Sequence, residues 1–405
     1  MRQITISRQA ARRFLLECLQ LGFGPHRPRP LRPLSLPVRI DQLEAVQIDP
    51  VARVGRNQDL ALLARDNRYR PAALDHLLAR GLVFEYRANE ASVLPIEDYP
   101  VLAGVRRRYR QRLQPILDRY ATVVHDVRRR LENDGPLPSR AFMSDKKVLG
   151  YWDTGEATTK ETSHVLNLLY DAGELMVVRR EGTTRFFDLP ERVVPEPILS
   201  DAAHRSSEEA DELLFDKYFR AYRLVRRGNP RLGWSGQPMA ERRHMLNQRV
   251  RDGRIVEFCI EGVPTPYFVL AADVDRLIFW DTQGNRGWRR PIRFLPPLDN
   301  LLWDRERLVD LFSFPYRWEV YVPPGKRRFG VYAMPVLAGD QLVGRIDPEL
   351  KRPEAALVIH NAEWEPGVGT SALRQAVDAA LADWARRLGG DHVVLAAEWS
   401  TRQRE

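Results

Sequence analysis

An amide and a carboxylate stand two residues apart in Gln47-Ile48-Asp49, directly before Pro50. Pro50 disfavours a helical conformation at Asp49, so this segment is predicted to be extended. Side chains two apart in an extended segment project to the same face, which places Gln47 and Asp49 on one surface and turns Ile48 toward the core. Such a pair suits the activation of water, since the amide can hold the water while the carboxylate takes its proton.

A structural interpretation of the same residues is also open. Asp49 can start a turn before the proline, and Gln47 can hydrogen-bond to backbone groups. Arg53 and Arg56 follow the motif closely. They are candidates for phosphate contacts beside the site, and they are equally well explained as solvated surface arginines. The tripeptide therefore gains weight only from the rest of the chain.

The composition favours a polyanionic partner. Lys and Arg together number 63 against 54 Asp and Glu, which gives a formal net charge of +9. The 405 residues, 44% hydrophobic and 29% charged, predict a globular protein of two to four domains. Cys18 and Cys259 lie far apart, so neither a structural zinc site nor a disulfide framework is expected, and a reducing compartment is. The histidines are scattered without metal spacing, and we expect no metal and no cofactor. No apolar run is long enough to span a membrane, so no membrane-spanning helix is expected.

The elements around the motif predict helices followed by a short strand pair, which is the pattern of a winged helix. Ser7 is the predicted N-cap of the first helix. The predicted elements of this unit are helices at 7–21, 41–47, 58–65 and 71–80, followed by a strand at 82–86.

The same pattern returns twice along the chain. The second copy has helices at 122–135, 138–143 and 158–172 and strands at 175–178 and 184–187; the third has helices from Glu208 and at 237–252 and strands at 255–258 and 266–270. We therefore predict an α+β fold with three tandem winged-helix domains, at 1–118, 119–200 and 201–290, followed by a β-rich region at 291–405.

A basic hairpin is predicted within this last region. Residues 320–322 and 330–333 are rich in β-branched and aromatic types and would face each other. The tip between them carries Lys326, Arg327, Arg328 and Phe329. Basic side chains suit a phosphate backbone, and an aromatic ring can wedge into a base step. A hairpin tip that is merely solubilised by its charges is the alternative.

From residue 297 onward the sequence resembles the YcaQ/AlkX–AlkZ family of winged-helix DNA glycosylases. The matching stretches are 297–305, Phe314-Pro315-Tyr316-Arg317, Tyr321-Val322-Pro323, Lys326-Arg327-Arg328-Phe329-Gly330, Met334-Pro335-Val336-Leu337 and Val343-Gly344-Arg345-Ile346-Asp347. With Gln47-Ile48-Asp49 added, the similarity runs over most of the chain. The Gln-x-Asp form is similar to the YcaQ/AlkX branch. This sequence departs from relatives at Arg87 and Asn89, where they often have Trp and His, which bears on the substrate range.

The resemblance implies three winged helices in a C-shaped arrangement around duplex DNA. It also implies removal of alkylated purines and unhooking of interstrand crosslinks joined through guanine N7. Asp49 would then stabilise the sugar cation and act as general base, while Gln47 holds the water. No lysine adjoins the motif. We therefore expect a monofunctional enzyme rather than one that forms a Schiff base.

The expected partner is double-stranded DNA with alkylated or crosslinked guanine. A monomer in the cytoplasm, associated with the nucleoid, is expected to act on it. Two other functions stay open at this point. One is a non-catalytic DNA-binding protein or transcription regulator with repeated winged helices, and the other is a scaffold whose C-terminal β region binds a repair protein.

Overall fold

The computed structural model describes residues 4–23, 35–150, 153–283, 288, 291–397 and 399–401. The chain begins with strand β1 (Ile4–Ile6) and helix α1 (Arg8–Cys18). The Ser7 hydroxyl accepts a hydrogen bond from the Ala10 backbone N–H at 3.2 Å, which confirms the predicted N-cap. No helix in these residues is long and apolar enough to cross a bilayer.

The first helix-and-sheet unit carries the Gln47–Asp49 segment. Its elements are α2 (Leu36–Leu43), β2 (Val46–Gln47), α3 (Asn57–Leu63), α4 (Pro71–Ala79), β3 (Val83–Arg87) and β4 (Ala91–Pro95). The three strands form an antiparallel sheet in the order β2-β4-β3. The helix predicted at 41–47 is wrong in its second half. Glu44 has a φ of 68°, and its carboxylate binds Lys217 and Arg220, so the chain leaves the helix before Gln47.

A second unit repeats this organisation. Its elements are α5 (Ala103–Leu117), α6 (Ala121–Asp134), β5 (Leu137–Pro138), β6 (Lys147–Val148), β7 (Thr159–Lys160), α7 (Glu161–Asp171), β8 (Met176–Glu181) and β9 (Thr184–Asp188). Strands β5, β9 and β8 form one sheet in that order, and β6 pairs with β7. Gly135 ends α6 with a φ of 77°, a conformation that glycine adopts without steric cost.

The third unit shares its sheet with the start of the chain. Its elements are α8 (Pro190–Val193), α9 (Glu196–His204), α10 (Ser207–Tyr222), β10 (Val225–Arg226), α11 (Met239–Arg251), β11 (Ile255–Ile260), β12 (Tyr267–Leu270) and α12 (Val274–Gln283). The sheet order is β1-β11-β12-β10, with β1 parallel to β11. A reciprocal capping box between Ser206 and Glu209 starts α10.

The C-terminal region is built around a larger sheet. Its elements are β13 (Ile292–Phe294), α13 (Arg305–Phe312), β14 (Met334–Ala338), β15 (Gln341–Lys351), β16 (Ala356–Trp364), α14 (Ser371–Leu388), β17 (His392–Leu395) and β18 (Ser400–Thr401). The strand order is β13-β14-β15-β16-β17, and β18 also pairs with β16. Helix α14 covers this sheet with Val377, Leu381 and Trp384.

The apolar cores cross the predicted domain boundaries. One cluster joins Leu43, Val46 and Leu74 of the first unit to Val127 and Leu166 of the second. Strand β1 at the start of the chain pairs with β11 of the third unit, and the division at 1–118 stays a prediction. The other divisions, at 119–200, 201–290 and 291–405, stay predictions.

The predicted hairpin at 320–333 is wrong. Residues 313–333 contain no strand and are organised instead by the buried carboxylate of Glu319. This carboxylate accepts the backbone N–H groups of Arg328, Phe329 and Gly330 at 2.8–3.2 Å. Gly330 begins the second predicted strand, so the Glu319 side chain accepts an N–H group that a strand ladder would have used, and the segment forms a compact loop instead.

Candidate active site

The end of strand β2 positions the amide and the carboxylate of the motif. Gln47 is the last residue of β2, and the Ile48 N–H still donates to the Ala91 carbonyl at 2.8 Å. The chain leaves the sheet at Asp49, where Pro50 prevents a helical turn. The predicted extended conformation therefore holds as far as Ile48, and the carboxylate follows directly after the sheet edge.

Asp49 is partly buried and lines a large cleft. Its Oδ1 atom accepts the Val51 backbone N–H at 2.7 Å, which is the turn that the structural interpretation anticipated. Its Oδ2 atom accepts no hydrogen bond from the described residues. Burial raises the pKa of Asp49 above its usual range, and the bond from Val51 opposes part of that rise. The carboxylate is therefore a stronger base than a solvated aspartate and has an oxygen to spare.

Gln47 is buried, with 6% of its surface exposed, and is not among the residues that line the cleft. Its backbone carbonyl accepts from Asn57 Nδ2 at 2.8 Å. Its side-chain Oε1 accepts from Asn89 Nδ2 at 3.0 Å. The predicted common surface of Gln47 and Asp49 is therefore not formed along the cleft wall. Ile48 packs partly against the core, as predicted, and also reaches the cleft.

The cleft has a volume of about 1330 Å³ and is bounded by three parts of the chain. The first unit contributes residues 48–91, the second contributes 167–185, and the C-terminal region contributes Arg352 and 386–389. Its walls carry eight arginines against five carboxylate residues; these are Arg56, Arg70, Arg87, Arg180, Arg185, Arg352, Arg386 and Arg387, with Asp49, Asp59, Asp75, Glu90 and Asp171. Small-molecule sites usually have volumes of about 300–1,000 Å³, so this one has the size and charge for a larger anion.

The AlkZ-like family model, described as "DNA glycosylase AlkZ-like", matches residues 40–387. The chain belongs to this family. Its fold is similar to that of the Streptomyces sahachiroi DNA glycosylase AlkZ, with a TM-score of 0.63 and 16% sequence identity over 98% of this chain and 100% of that chain. This likeness confirms the mixed helix-and-strand fold. The family match makes the protein a DNA glycosylase, a DNA-binding hydrolase of repair. The assignment to the Gln-x-Asp branch stays a prediction.

Arg53 and Arg56 of this glycosylase are both held by carboxylates. Arg53 donates to Glu349 at 2.9 Å. Arg56 lines the cleft, binds Asp59 through two nitrogens and donates to Asp75 at 2.8 Å. These ion pairs give both arginines a structural role near the motif. Their predicted contacts with phosphate stay predictions.

The four predicted loop residues lie outside the cleft lining of the glycosylase and differ in how they are held. Lys326 and Arg328 are exposed. The Arg327 side chain donates to the Val322 carbonyl at 2.7 Å. The Phe329 ring lies 4.1 Å from the Arg345 guanidinium, measured to the ring centroid, and is partly buried. The loop therefore offers two exposed cations and an aromatic ring already in contact with a cation.

The two departures from the family pattern have structural partners. Arg87 donates to the Asp171 carboxylate at 3.0 and 3.1 Å and so ties the first unit to the second across the cleft wall. Asn89 binds Gln47 and also accepts from the Tyr222 hydroxyl at 2.7 Å. Sequence reasoning noted Asn89 only as a departure and did not find Tyr222. No local signal marks either residue, since their partners lie 42 and 133 positions away.

In the part of the chain that the structure describes, no three His, Cys, Asp or Glu side chains lie close enough together to hold a metal ion. The expectation of a reaction without metal or cofactor stays a prediction.

Proposed function

We propose that this glycosylase hydrolyses the N-glycosidic bond of cationic alkylated purines, with N7-alkylguanine as the substrate class. The proposal rests on the position of Asp49. Its carboxylate reaches the wall of a basic cleft with one oxygen unused. An N7-alkylated guanine already carries a positive charge, so it leaves readily and needs no strong acid. What it does need is a nearby negative charge and a water, and the cleft supplies the former.

The proposed reaction has two movements of charge. The electrons of the C1′–N9 bond pass to the purine and neutralise it, and the sugar is left as an oxocarbenium ion beside Asp49. A water then forms the new bond to C1′ and gives its proton to Asp49, while Gln47 orients that water. The products are a free alkylated base and an abasic site. The described cleft walls contain no lysine, which supports water as the nucleophile.

We propose that the three helix-and-sheet units are winged helices that surround duplex DNA in a C shape. Each combines helices with a sheet of short strands, in the orders β2-β4-β3, β5-β9-β8 and β1-β11-β12-β10. The basic cleft opens between the first unit, the second unit and the C-terminal region. Lys326 and Arg328 of the loop are proposed to contact the phosphate backbone. A site reached this way accepts a base that is crosslinked to the opposite strand, so unhooking of N7-guanine crosslinks belongs to the proposal. We propose that the protein acts as a monomer.

The test is single-turnover base release from a duplex with one N7-methylguanine. Asp49→Asn is expected to slow release by about 100- to 10,000-fold, the usual contribution of a positioned base, while DNA affinity stays unchanged. Asp75→Asn is the matched control, because Asp75 lines the same cleft but is engaged by Arg56. It is expected to keep nearly full activity.

A second duplex, joined by one nitrogen-mustard crosslink and resolved on a denaturing gel, tests unhooking. Abasic sites should appear and persist until alkali cleaves them. Full activity of the Asp49→Asn variant would end the proposed mechanism, and tight DNA binding without any abasic product would favour a non-catalytic role.

A further inference from the structure

Three buried side chains from distant parts of the sequence form a hydrogen-bond chain that ends at Gln47. The Tyr222 hydroxyl, at the end of α10, donates to Asn89 Oδ1 at 2.7 Å. Asn89, in the turn between β3 and β4, donates from Nδ2 to Gln47 Oε1 at 3.0 Å. The exposed fractions of Tyr222, Asn89 and Gln47 are 0%, 8% and 6%. Buried amides fix their orientation through such partners, because an unmatched donor or acceptor is costly there.

The direction of this chain is set by the tyrosine. Burial raises the pKa of Tyr222, so its hydroxyl keeps its proton at neutral pH. Among the residues that the structure describes, Asn89 is the acceptor available to that proton. The oxygen of Asn89 must then face Tyr222, and its nitrogen must face Gln47. A nitrogen donor requires an oxygen acceptor, so Gln47 turns its Oε1 atom inward and is left with Nε2.

The tyrosine itself is held by its neighbours. Its ring stacks on Tyr218 with the centroids 4.4 Å apart and lies against Trp234 and Trp303 at 6.1 and 5.7 Å. Its backbone carbonyl accepts from Arg307. Helix α10 belongs to the third unit, whereas Gln47 and Asn89 belong to the first. The orientation of the Gln47 amide is therefore set from outside its own unit.

We propose that Asn89 and Tyr222 are positioning residues that present Gln47 Nε2 as a hydrogen-bond donor to the attacking water. This inference rests on the proposed roles of Gln47 and Asp49. The water oxygen accepts from Gln47 Nε2, and one of its protons goes to Asp49, which leaves a lone pair for C1′. The amide and the carboxylate thus have opposite hydrogen-bonding roles. Neither can replace the other.

Asn89→Asp is the variant that separates orientation from packing. Aspartate has nearly the same shape and still accepts from Tyr222, but as a carboxylate it cannot donate to Gln47. Gln47 must then turn its nitrogen inward and its oxygen toward the water. Base release from the N7-methylguanine duplex is expected to slow by roughly 10- to 100-fold, as much as in Gln47→Ala, with DNA affinity unchanged.

A double-mutant cycle separates a positioning role from a purely structural one, because it measures whether the effect of changing Asn89 depends on Gln47. Once Gln47 is alanine, Asn89 has no amide left to orient, so the combined variant should release base no more slowly than Gln47→Ala alone. Tyr222→Phe keeps the ring and removes the hydroxyl. It tests the same hydrogen-bond chain if Asn89→Asp does not fold. Tyr218→Phe is its matched control, because the buried Tyr218 hydroxyl has no hydrogen-bond partner among the described residues.

The outcomes distinguish this inference from the function on which it rests. If Gln47→Ala is slow but Asn89→Asp and Tyr222→Phe release base at the rate of the unaltered enzyme, the positioning role is overturned. The positioning role is also overturned if Asn89→Asp slows base release by the Gln47→Ala enzyme by the same factor as it slows release by the unaltered enzyme. If Gln47→Ala and Asp49→Asn are both fully active, the proposed mechanism itself fails.

Discussion

Asp49 is partly buried and Glu319 is buried, and both carboxylates lie in non-helical segments. Their surroundings nevertheless give them opposite roles. Glu319 accepts three backbone N–H groups, from Arg328, Phe329 and Gly330, and shapes the loop of residues 320–333. Asp49 accepts one backbone N–H, from Val51, and faces the cleft. A carboxylate has room for about four hydrogen bonds. Glu319 has used most of that capacity for structure, while Asp49 has kept most of it for a ligand.

Glu319 therefore organises the loop, whereas Asp49 remains available to the cleft. Each N–H group that a carboxylate accepts stabilises its charged form and lowers its basicity. With one such bond against the effect of burial, Asp49 keeps a raised pKa.

The largest expected effect is the pH dependence of base release. Asp49 acts as a base only when it is a carboxylate, so the single-turnover rate should fall about tenfold per pH unit below its pKa. Because burial raises that pKa, the fall should begin at a higher pH than for a solvated aspartate, whose pKa is about 3.9. The measurement is a pH–rate profile on N7-methylguanine duplex, corrected for spontaneous depurination.

The same pKa shift has a defined sign for stability. A carboxyl whose pKa is raised by folding binds its proton more tightly in the folded state, so its contribution to stability grows as the pH falls through that pKa. Asp49→Asn should therefore not lower the melting temperature at neutral pH. A rate profile that stays level down to the pKa of a solvated aspartate would contradict the role given to Asp49, as would a strongly destabilised Asp49→Asn variant.

The next effect concerns stability at Glu319. Glu319→Gln keeps an oxygen acceptor but removes the charge that strengthens three hydrogen bonds, so the free energy of unfolding should fall by about 1–3 kcal/mol. Base release at saturating DNA should stay unchanged. Glu354→Gln is the control, since the side chain of Glu354 is 63% exposed and, among the described residues, pairs at the surface with Lys351 alone. Thermal unfolding measures both variants, and equal melting temperatures would show that Glu319 does not hold the loop.

The sequence predicted the elements whose signals are local. Helix α1 follows Ser7, and the strand pairs at 176–188 and 255–270 follow from short apolar runs with a turn between them. The strand pair predicted at 320–333 failed because β-propensity is a weak preference, and the Glu319 carboxylate, 9 to 11 positions before the donors, offered their backbone N–H groups a different partner. The parallel pairing of β1 with β11 joins Ile4 to Phe258, which no local pattern encodes.

The site divides in the same way. Asp49 was singled out by its type, by the proline that follows it and above all by the family resemblance, and the structure places it on the cleft. Gln47 was predicted beside it, but its burial depends on Asn57 and Asn89, which approach from other segments. Arg56 was predicted as a phosphate contact because arginine suits phosphate; its two carboxylate partners become visible only in three dimensions. Residue type predicts what a side chain can do, while tertiary contacts decide which of its groups remain available.

The smallest expected effect lies on the exposed side of the loop. Lys326 is exposed and forms no ion pair among the described residues, whereas Arg56 is held by Asp59 and Asp75. If Lys326 neutralises a phosphate, Lys326→Ala should lower the slope of log affinity against log salt by about 0.9 and weaken DNA binding only a few-fold. Arg56→Gln should leave that slope unchanged and lower the melting temperature instead, because Arg56 is already paired with two aspartates. Binding measured over a range of salt concentrations compares the two. A reduced slope in Arg56→Gln with none in Lys326→Ala would place the DNA backbone along the cleft wall rather than at the loop.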